Sequence, residues 1–251
     1  MKEIDLAIPL GPTIDNYEEL RYVLRSAEKH LKGLRNVYVY GKCPNWVKDV
    51  NHVPCLVKHK RKNHDIIHKL LLAGMSEKHD DAFMWCSDDQ MFLSACDPEK
   101  YTTARDGQLL DQLGDRRTFW DKCHVATSRA LISAGYHEAY YYDVHVPHVV
   151  EKSTILATFS RIPWREEPGW CIWSLLYNIA ASEDVIYAQH LKSTTLEIKV
   201  KATFEFPPES QNAVEEACSS KNFLGLHDGA FNEHMRAFLE AKFPDKSRWE
   251  K

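Results

Sequence analysis

The feature that most constrains this chain is an alternation of short apolar runs and amphipathic segments through its first third. Residues 4–10 form an apolar run that ends at Gly11, which predicts a buried first strand. The next segment carries apolar side chains at helical spacing, and Asn16 and Glu19 at its start have the pattern of a capping box. We therefore expect a strand followed by a helix whose N-cap is Asn16.

The alternation continues beyond this helix. Two β-rich segments, a second helical segment and a third apolar run follow in turn, at 36–40, 53–57, about 65–76 and 82–86. This order predicts an α/β fold with a mostly parallel central sheet, in which ligands bind beyond the carboxyl ends of the strands. Asp88 and Asp89 come just after the third apolar run, so two carboxylates are expected at that edge.

The second half of the chain is less regular in pattern. We expect an extended segment at 140–148, helices at 149–159 and 170–181, a strand at 196–206, a further helix, a short strand at 223–226 and a final helix at 231–243. No internal repeat and no low-complexity linker interrupts the sequence. The sequence therefore predicts a single domain over residues 1–251.

Composition limits the class of protein. Hydrophobic residues at 44% and charged residues at 27% are typical of a globular chain and exclude a disordered one. No apolar run approaches the roughly 20 residues that span a bilayer. The apolar stretch before Gly11 is too short for a signal peptide, so we expect a cytoplasmic protein. The seven cysteines include no Cys-x-x-Cys pair, which argues against a disulfide framework and a zinc knuckle.

The adjacent Asp88 and Asp89 are the first candidate site. Two carboxylates at the end of a buried strand repel each other and lose hydration unless a cation compensates them. Oxygen ligands of this kind suit Mg²⁺ or Mn²⁺, which would also hold a diphosphate. The alternative is a solvated acidic turn without a ligand.

Histidine and arginine side chains supply further candidates. His145 could bind a metal or act as a general base, or it could be a surface histidine before a helix that begins at Pro147. Asp228 could be a ligand or a helix N-cap. Arg161 and Arg165 could bind phosphate or form surface salt bridges. The sequence contains neither a Gly-x-Gly-x-x-Gly motif nor a P-loop.

Four stretches of the chain resemble blocks of one family and occur in the family's order. The first spans residues 18–46 and closes at Ser87-Asp88-Asp89, where the family has Asn-Asp-Asp. The others are His145-Val-Pro-His148 followed by Arg165-Glu-Glu, Leu226-His-Asp228, and Phe243-Pro-Asp-Lys-Ser-Arg-Trp-Glu250. On these blocks the sequence resembles the Stealth proteins. These are sugar-phosphate transferases that include bacterial capsule polymerases and the lysosomal-enzyme N-acetylglucosamine-1-phosphotransferase.

The resemblance implies a glycosyltransferase-A-like, Rossmann-like domain with a nucleotide-sugar donor and Mn²⁺ or Mg²⁺ as cofactor. Residues 1–95 would be the donor-binding half, and residues 96–251 the acceptor-binding and catalytic half. The implied catalytic residues are His145, Asp89 and Arg165. The implied metal ligands are Asp88, Asp89, His145 and Asp228. The implied donor-binding residues are Pro9, Gly11, Thr13, Arg21, Arg25 and Asp88.

The opening segment 7–13 differs from the family's opening block, so we expect transfer of a sugar rather than of a sugar-1-phosphate. Sugar-1-phosphate transfer is the first alternative, and a catalytically silent glycan-binding module is the second. The acceptor would be a cytoplasmic polysaccharide or a modified base of phage DNA. For DNA, the basic run that includes Lys60, Arg61 and Lys62 would contact phosphates, unless it is only a solvated loop.

Overall fold

The structure is a computed structural model, and it describes the chain in several ranges. These are residues 3–12, 16–55, 59, 61–100, 107–114, 118–136, 139–166, 168–182, 201–227 and 229–251. The strands are β1 (Ile4–Leu10), β2 (Leu34–Gly41), β3 (Asn51–Val53), β4 (Ala82–Trp85), β5 (Gln90–Phe92), β6 (His148–Glu151), β7 (Lys201–Phe204) and β8 (Phe223–Leu226). The helices are α1 (Glu18–His30), α2 (Lys62–Met75), α3 (Phe119–Ser133), α4 (Lys152–Arg161), α5 (Ile172–Ser182), α6 (Gln211–Cys218) and α7 (Glu233–Lys242), with a 3₁₀ helix at Leu109–Gln112.

The central sheet has the strand order β3-β2-β1-β4-β6. Strands β3, β2, β1 and β4 are parallel, and β6 runs antiparallel to β4. A smaller sheet has the order β5-β8-β7, with β5 antiparallel and β7 parallel to β8. The predicted α/β fold with a mostly parallel central sheet is confirmed.

Helices cover both faces of the central sheet. All seven side chains of β1 are buried, as expected for a strand that is covered on both faces. Leu6 and Ile8 lie in the same hydrophobic cluster as the apolar face of α1, whereas Ala7 lies in the cluster that contains Ile67 and Leu70 of α2. The predicted inward face of α1, with Leu20, Val23, Leu24, Ala27 and Leu31, is buried as expected.

Two local predictions are wrong. Asn16 does not cap α1, because Asn16 and Tyr17 both have positive φ angles, of 49° and 58°, and the helix begins at Glu18 without a side-chain cap. Pro147 does not begin a helix, because residues 148–151 form β6. In β6, Val149 and Val150 are buried against β4, so sheet pairing outweighs the local helical pattern.

Other boundaries shifted. The strand expected at 53–57 is found at Asn51–Val53, and α2 begins three residues earlier than expected, at Lys62. Helix α3 and strand β5 were not predicted. The first part of the strand expected at 196–206 lies outside the described residues, and β7 covers Lys201–Phe204.

Each sheet combines strands from both sides of residue 95, since β6 joins the central sheet and β5 joins the smaller one. The assignment of one domain with donor and acceptor halves remains a prediction. None of the helices in the described ranges is long and apolar enough to cross a membrane.

Candidate functional site

The acidic pair follows β4 at the carboxyl edge of the central sheet. The Cys86 N–H donates to the carbonyl of Ala7 at 3.0 Å, which keeps the chain beside β1 for one residue beyond β4. Asp88 and Asp89 then form the turn that leads into β5. The two carboxylates therefore lie where a parallel α/β sheet binds its ligands.

His145 lies beside this pair although it is more than fifty residues away in sequence. Its Nε2 is 3.1 Å from Oδ1 of Asp89. Both atoms are inaccessible to water, and within the described part of the chain neither has a hydrogen-bond partner of good geometry. The structure thus brings together Asp88, Asp89 and His145, three of the residues predicted from sequence.

The smaller sheet positions the imidazole of His145. Gly225 in β8 pairs with Gln90 in β5, and a Cβ atom on Gly225 would lie 2.6 Å from Cδ2 of His145. Only glycine therefore leaves room for the ring at this position. On another side, the ring of His227 stacks on that of His145 with a centroid distance of 5.7 Å.

Gln90 connects the acidic turn to His145. Its Oε1 accepts a hydrogen bond from the Ser87 N–H at 3.0 Å, and its Nε2 lies 3.3 Å from Nδ1 of His145. The side chain is almost completely buried. Neither Gln90 nor Gly225 was predicted from sequence. A glycine inside the predicted strand 223–226 was the available signal, because such a glycine often marks a close approach of another group.

The carboxyl group of Asp88 is in an environment that disfavours its charge. Burial raises the pKa of Asp88 to about 6, and the charge of Asp89 adds to the rise, whereas Lys62 and Lys69 oppose it. A carboxyl group of this kind gains from a nearby cation. The acidic turn therefore has unbalanced negative charge.

Lys69 provides a buried positive charge at the same edge. Its Nζ donates to the carbonyl of Leu10 at 2.8 Å, at the end of β1, and to the carboxylate of Asp65 one helical turn earlier. It was not predicted, although a lysine next to the apolar run 70–73 of α2 was a visible signal. Lys69 gives this edge both signs of charge.

Asp143 anchors the segment that carries His145. Its carboxylate accepts hydrogen bonds from the backbone N–H groups of Trp173 and Ser174, at 3.2 and 2.9 Å, and from the Ser174 hydroxyl. Burial raises the pKa of Asp143 to about 6, although these hydrogen bonds favour the ionised form. The carboxylate thus caps the start of α5 and fixes the backbone two residues before His145.

Arg21 and Arg25 are paired within the chain. Both guanidinium groups bind the carboxylate of Glu250, whose side chain is completely buried. Arg21 also lies 4.0 Å above the ring of Trp46. These contacts give them a structural role, and their assignment as donor-binding residues remains a prediction.

Other residues were also predicted as site residues, but they are not among those that the structure groups with Asp88, Asp89 and His145. Pro9 is buried in β1, and the carbonyl of Gly11 accepts a hydrogen bond from Tyr17 at 2.6 Å. Arg165 is exposed and lies 4.0 Å above the ring of Trp164, so the structure does not bring it into the acidic turn. Thr13, Lys60 and Asp228 lie outside the described residues.

The remaining members of the basic run lie at the start of α2. Arg61 is exposed, with its guanidinium 5.3 Å from the ring of Phe119. Lys62 is also exposed, and its charge acts on Asp88. Lys62 is therefore close enough to the acidic turn to act on its charge, and the acceptor-binding role of the basic run remains a prediction.

The donor atoms at the acidic turn fit a hard divalent cation. Asp88 and Asp89 supply carboxylate oxygens, and Oδ1 of Asp89 is buried without a hydrogen-bond partner in the described ranges. Across those same ranges, no group of three or more His, Cys, Asp and Glu side chains is arranged around a metal position. Two carboxylates alone are compatible with Mg²⁺ or Mn²⁺, because these ions keep several waters or phosphate oxygens as ligands.

Comparison with known proteins gives little further information. No protein-family model matches the chain, and no curated protein matches it in sequence. A search of solved structures finds a glycosyltransferase involved in the glycosylation of the major capsid of PBCV-1. The match covers 96% of this chain and 99% of that one, with 9% identity and a TM-score of 0.39. This similarity is too weak to support an assignment, and membership in the Stealth family remains a prediction.

Proposed function

We propose that this protein is a metal-dependent glycosyltransferase that moves a sugar from a nucleotide-sugar donor to an acceptor. The observation that carries the proposal is the position of Asp88, Asp89 and His145 at the carboxyl edge of a mostly parallel sheet, with the pKa of Asp88 raised to about 6. Unbalanced carboxylates at this edge suit the cation and diphosphate of a bound nucleotide sugar.

Asp88 and Asp89 would hold Mn²⁺ or Mg²⁺, with Asp228 as a further predicted ligand. When bound, the cation would neutralise the diphosphate and stabilise charge on the leaving nucleotide. Lys62 and Lys69 provide positive potential on the same side of the turn, which favours a phosphate-bearing ligand. His145 would act on an oxygen of the reacting groups beside Asp89.

Transfer of a sugar-1-phosphate is the second candidate. It is favoured by a contact between two of the blocks that resemble the Stealth proteins. Arg25 of the first block binds Glu250 of the last block through Nε and Nη2, at 2.8 and 2.9 Å. Segments that carry the resemblance are thus joined directly, although they are more than 200 residues apart. Both candidates use the same acidic turn and differ in which bond of the donor is broken.

The proposal for the acceptor rests only on the exposed basic side chains at the start of α2. A polysaccharide or a modified base of DNA would approach the acidic turn, and Arg61 and Lys62 are exposed at the start of α2. Phosphate contacts of these side chains would make binding of DNA sensitive to salt. A glycan-binding module without catalysis would need the same surface but no cation.

The test is incubation with Mn²⁺ or Mg²⁺ and a panel of nucleotide sugars, with measurement of the nucleotide released. A nucleoside diphosphate supports transfer of the sugar, and a nucleoside monophosphate supports transfer of the sugar-1-phosphate. Asp89→Ala is expected to abolish release, whereas Asp245→Ala, at an exposed aspartate, should leave it unchanged. If no donor of the panel binds with either cation, the proposal of a transferase is overturned.

A further inference from the structure

We propose that Gln90 holds His145 in the tautomer that carries its proton on Nε2, so that His145 is a hydrogen-bond donor to substrate rather than a metal ligand or a general base. The tautomer follows from contacts of the described residues alone. Its consequence for catalysis rests on the function proposed above. Gln90 is thereby a positioning residue, since it acts on the reaction through His145.

The first step of the argument is the orientation of the Gln90 amide. The backbone N–H of Ser87 can only donate, and it lies 3.0 Å from the Gln90 side chain. The atom that faces Ser87 must therefore be the oxygen, Oε1. The amide nitrogen then faces His145, and the almost complete burial of Gln90 leaves little room for another orientation.

The second step is the protonation of the imidazole. The Gln90 Nε2 lies 3.3 Å from Nδ1 of His145. An amide nitrogen is a donor without an acceptor site, so Nδ1 must present its lone pair. A neutral imidazole with an unprotonated Nδ1 carries its proton on Nε2.

The third step concerns what Nε2 can bind. Nε2 lies 3.1 Å from Oδ1 of Asp89, a separation that would allow both atoms to bind one cation. Two ligands that are each about 2.1 Å from a cation, with a right angle between them, lie about 3 Å apart. A cation on Nε2 would, however, move the proton to Nδ1, where it would face the N–H of Gln90. Two donors would then oppose each other in a buried position, which is costly. The contacts of Gln90 therefore exclude His145 from the ligand set.

Within the part of the chain that the structure describes, the Nε2–H group is left without an acceptor, although Nε2 is buried beside Asp89. It does not point at Asp89 with hydrogen-bond geometry, and within the described ranges it has no other acceptor. Because Nε2 is inaccessible to water in the free protein, an oxygen of the donor diphosphate would accept this hydrogen bond once the bound donor displaces the groups that cover Nε2. His145 would then stabilise negative charge on the leaving phosphate without transferring a proton.

The experiment is nitrogen-15 spectroscopy of the histidine side chains in the full-length protein at about pH 8, where an ordinary histidine is neutral. The signals of His145 are identified by their absence in His145→Asn. The expected result is a protonated Nε2 and an unprotonated Nδ1. The opposite tautomer in the unmodified protein would overturn the inference.

Gln90→Glu provides a matched variant of the same shape. A carboxylate can accept from both Ser87 and His145, so the proton should move to Nδ1, and the freed Nε2 should tighten binding of Mn²⁺ about tenfold. Gln90→Met removes the donor that faces Nδ1 without adding charge, so His145 can take either tautomer and Mn²⁺ binding should tighten, but by less than in Gln90→Glu. An unchanged tautomer in Gln90→Glu would count against the inference, and if that variant does not fold, the spectrum of the unmodified protein decides.

The outcomes separate this inference from the proposed function. The expected tautomer in a protein that never releases a nucleotide would leave the role of Gln90 intact and overturn only the transferase. Active transferase with the proton on Nδ1 would overturn only the inference.

Discussion

Arg25 and Glu250 join the first helix to the end of the chain. Nε and Nη2 of Arg25 donate to Oε1 and Oε2 of Glu250 at 2.8 and 2.9 Å, and the Glu250 side chain is completely buried. Burial alone would raise the pKa of Glu250. Hydrogen bonds from Arg25, from the Ser247 amide and from Arg21 outweigh burial and lower the pKa to about 2.

The first prediction is that Glu250→Gln destabilises the fold by about 3 kcal/mol, because it leaves two guanidinium groups without their counter-ion. The folded pKa is lower than the ordinary value of 4.5, so the carboxylate stabilises the protein above about pH 4.5. This contribution is lost as the pH falls from there towards 2. Urea unfolding across this range measures it, and Glu209→Gln, at an exposed site, is the control. An unchanged pH dependence in Glu250→Gln would contradict the prediction.

The second prediction concerns the acidic turn. Asp88→Asn removes a partly buried charge and its repulsion with Asp89, so the free protein should become more stable, by about 2 kcal/mol. We expect Mn²⁺ to raise the melting temperature of the unmodified protein, and the same substitution should abolish that increase. Asp245→Asn, at an exposed site, should change neither quantity by a comparable amount. Loss of stability in Asp88→Asn would show that the carboxylate has a structural role.

The third prediction tests the contact below His145. Gly225→Ala places a methyl group 2.6 Å from Cδ2 of His145, so the ring must move. We expect nucleotide release to fall at least about 100-fold, because a displacement of about 1 Å has this effect in catalytic sites. Gly135→Ala is the control, since its added methyl group meets no atom within 4 Å, although its positive φ of 91° adds a backbone strain that Gly225 does not have. If both variants keep full turnover, His145 does not act in the reaction.

The sequence predicts this fold well where one pattern decides the structure. The apolar run 4–10 coincides with β1, and residues 223–226 coincide with β8, because continuous apolar runs between breakers have few alternatives. The prediction of a helix that begins at Pro147 was wrong. Strand β6 forms there because it pairs with β4, and that pairing is not visible in the local sequence.

The candidate site was partly predictable for a similar reason. Asp88 and Asp89 follow a recognisable strand, so their position at the sheet edge could be expected. Gln90 and Gly225 became visible only when β5 paired with β8, since their roles depend on a distant histidine. The ion pairs of Arg21 and Arg25 could not be predicted, because their partner Glu250 lies at the other end of the chain.

The last prediction uses the charge of Lys62, which is exposed at the start of α2 and acts on Asp88. Lys62→Met removes a positive charge near the proposed cation, so Mn²⁺ alone should bind more tightly. A nucleotide sugar, whose diphosphate carries two negative charges, should bind more weakly to the Mn²⁺-loaded protein, because it loses an attractive charge. Calorimetric titration measures both constants, and Lys48→Met is the control at another exposed lysine.

Both effects should shrink as the salt concentration rises, because exposed charges are screened within about 10 Å at 0.1 M salt. Opposite changes for the free cation and for the nucleotide sugar would distinguish an electrostatic role of Lys62 from a loss of folding, which would weaken both. Equal changes in the same direction would contradict a phosphate-bearing ligand at this edge, since a neutral ligand does not respond to the sign of the charge.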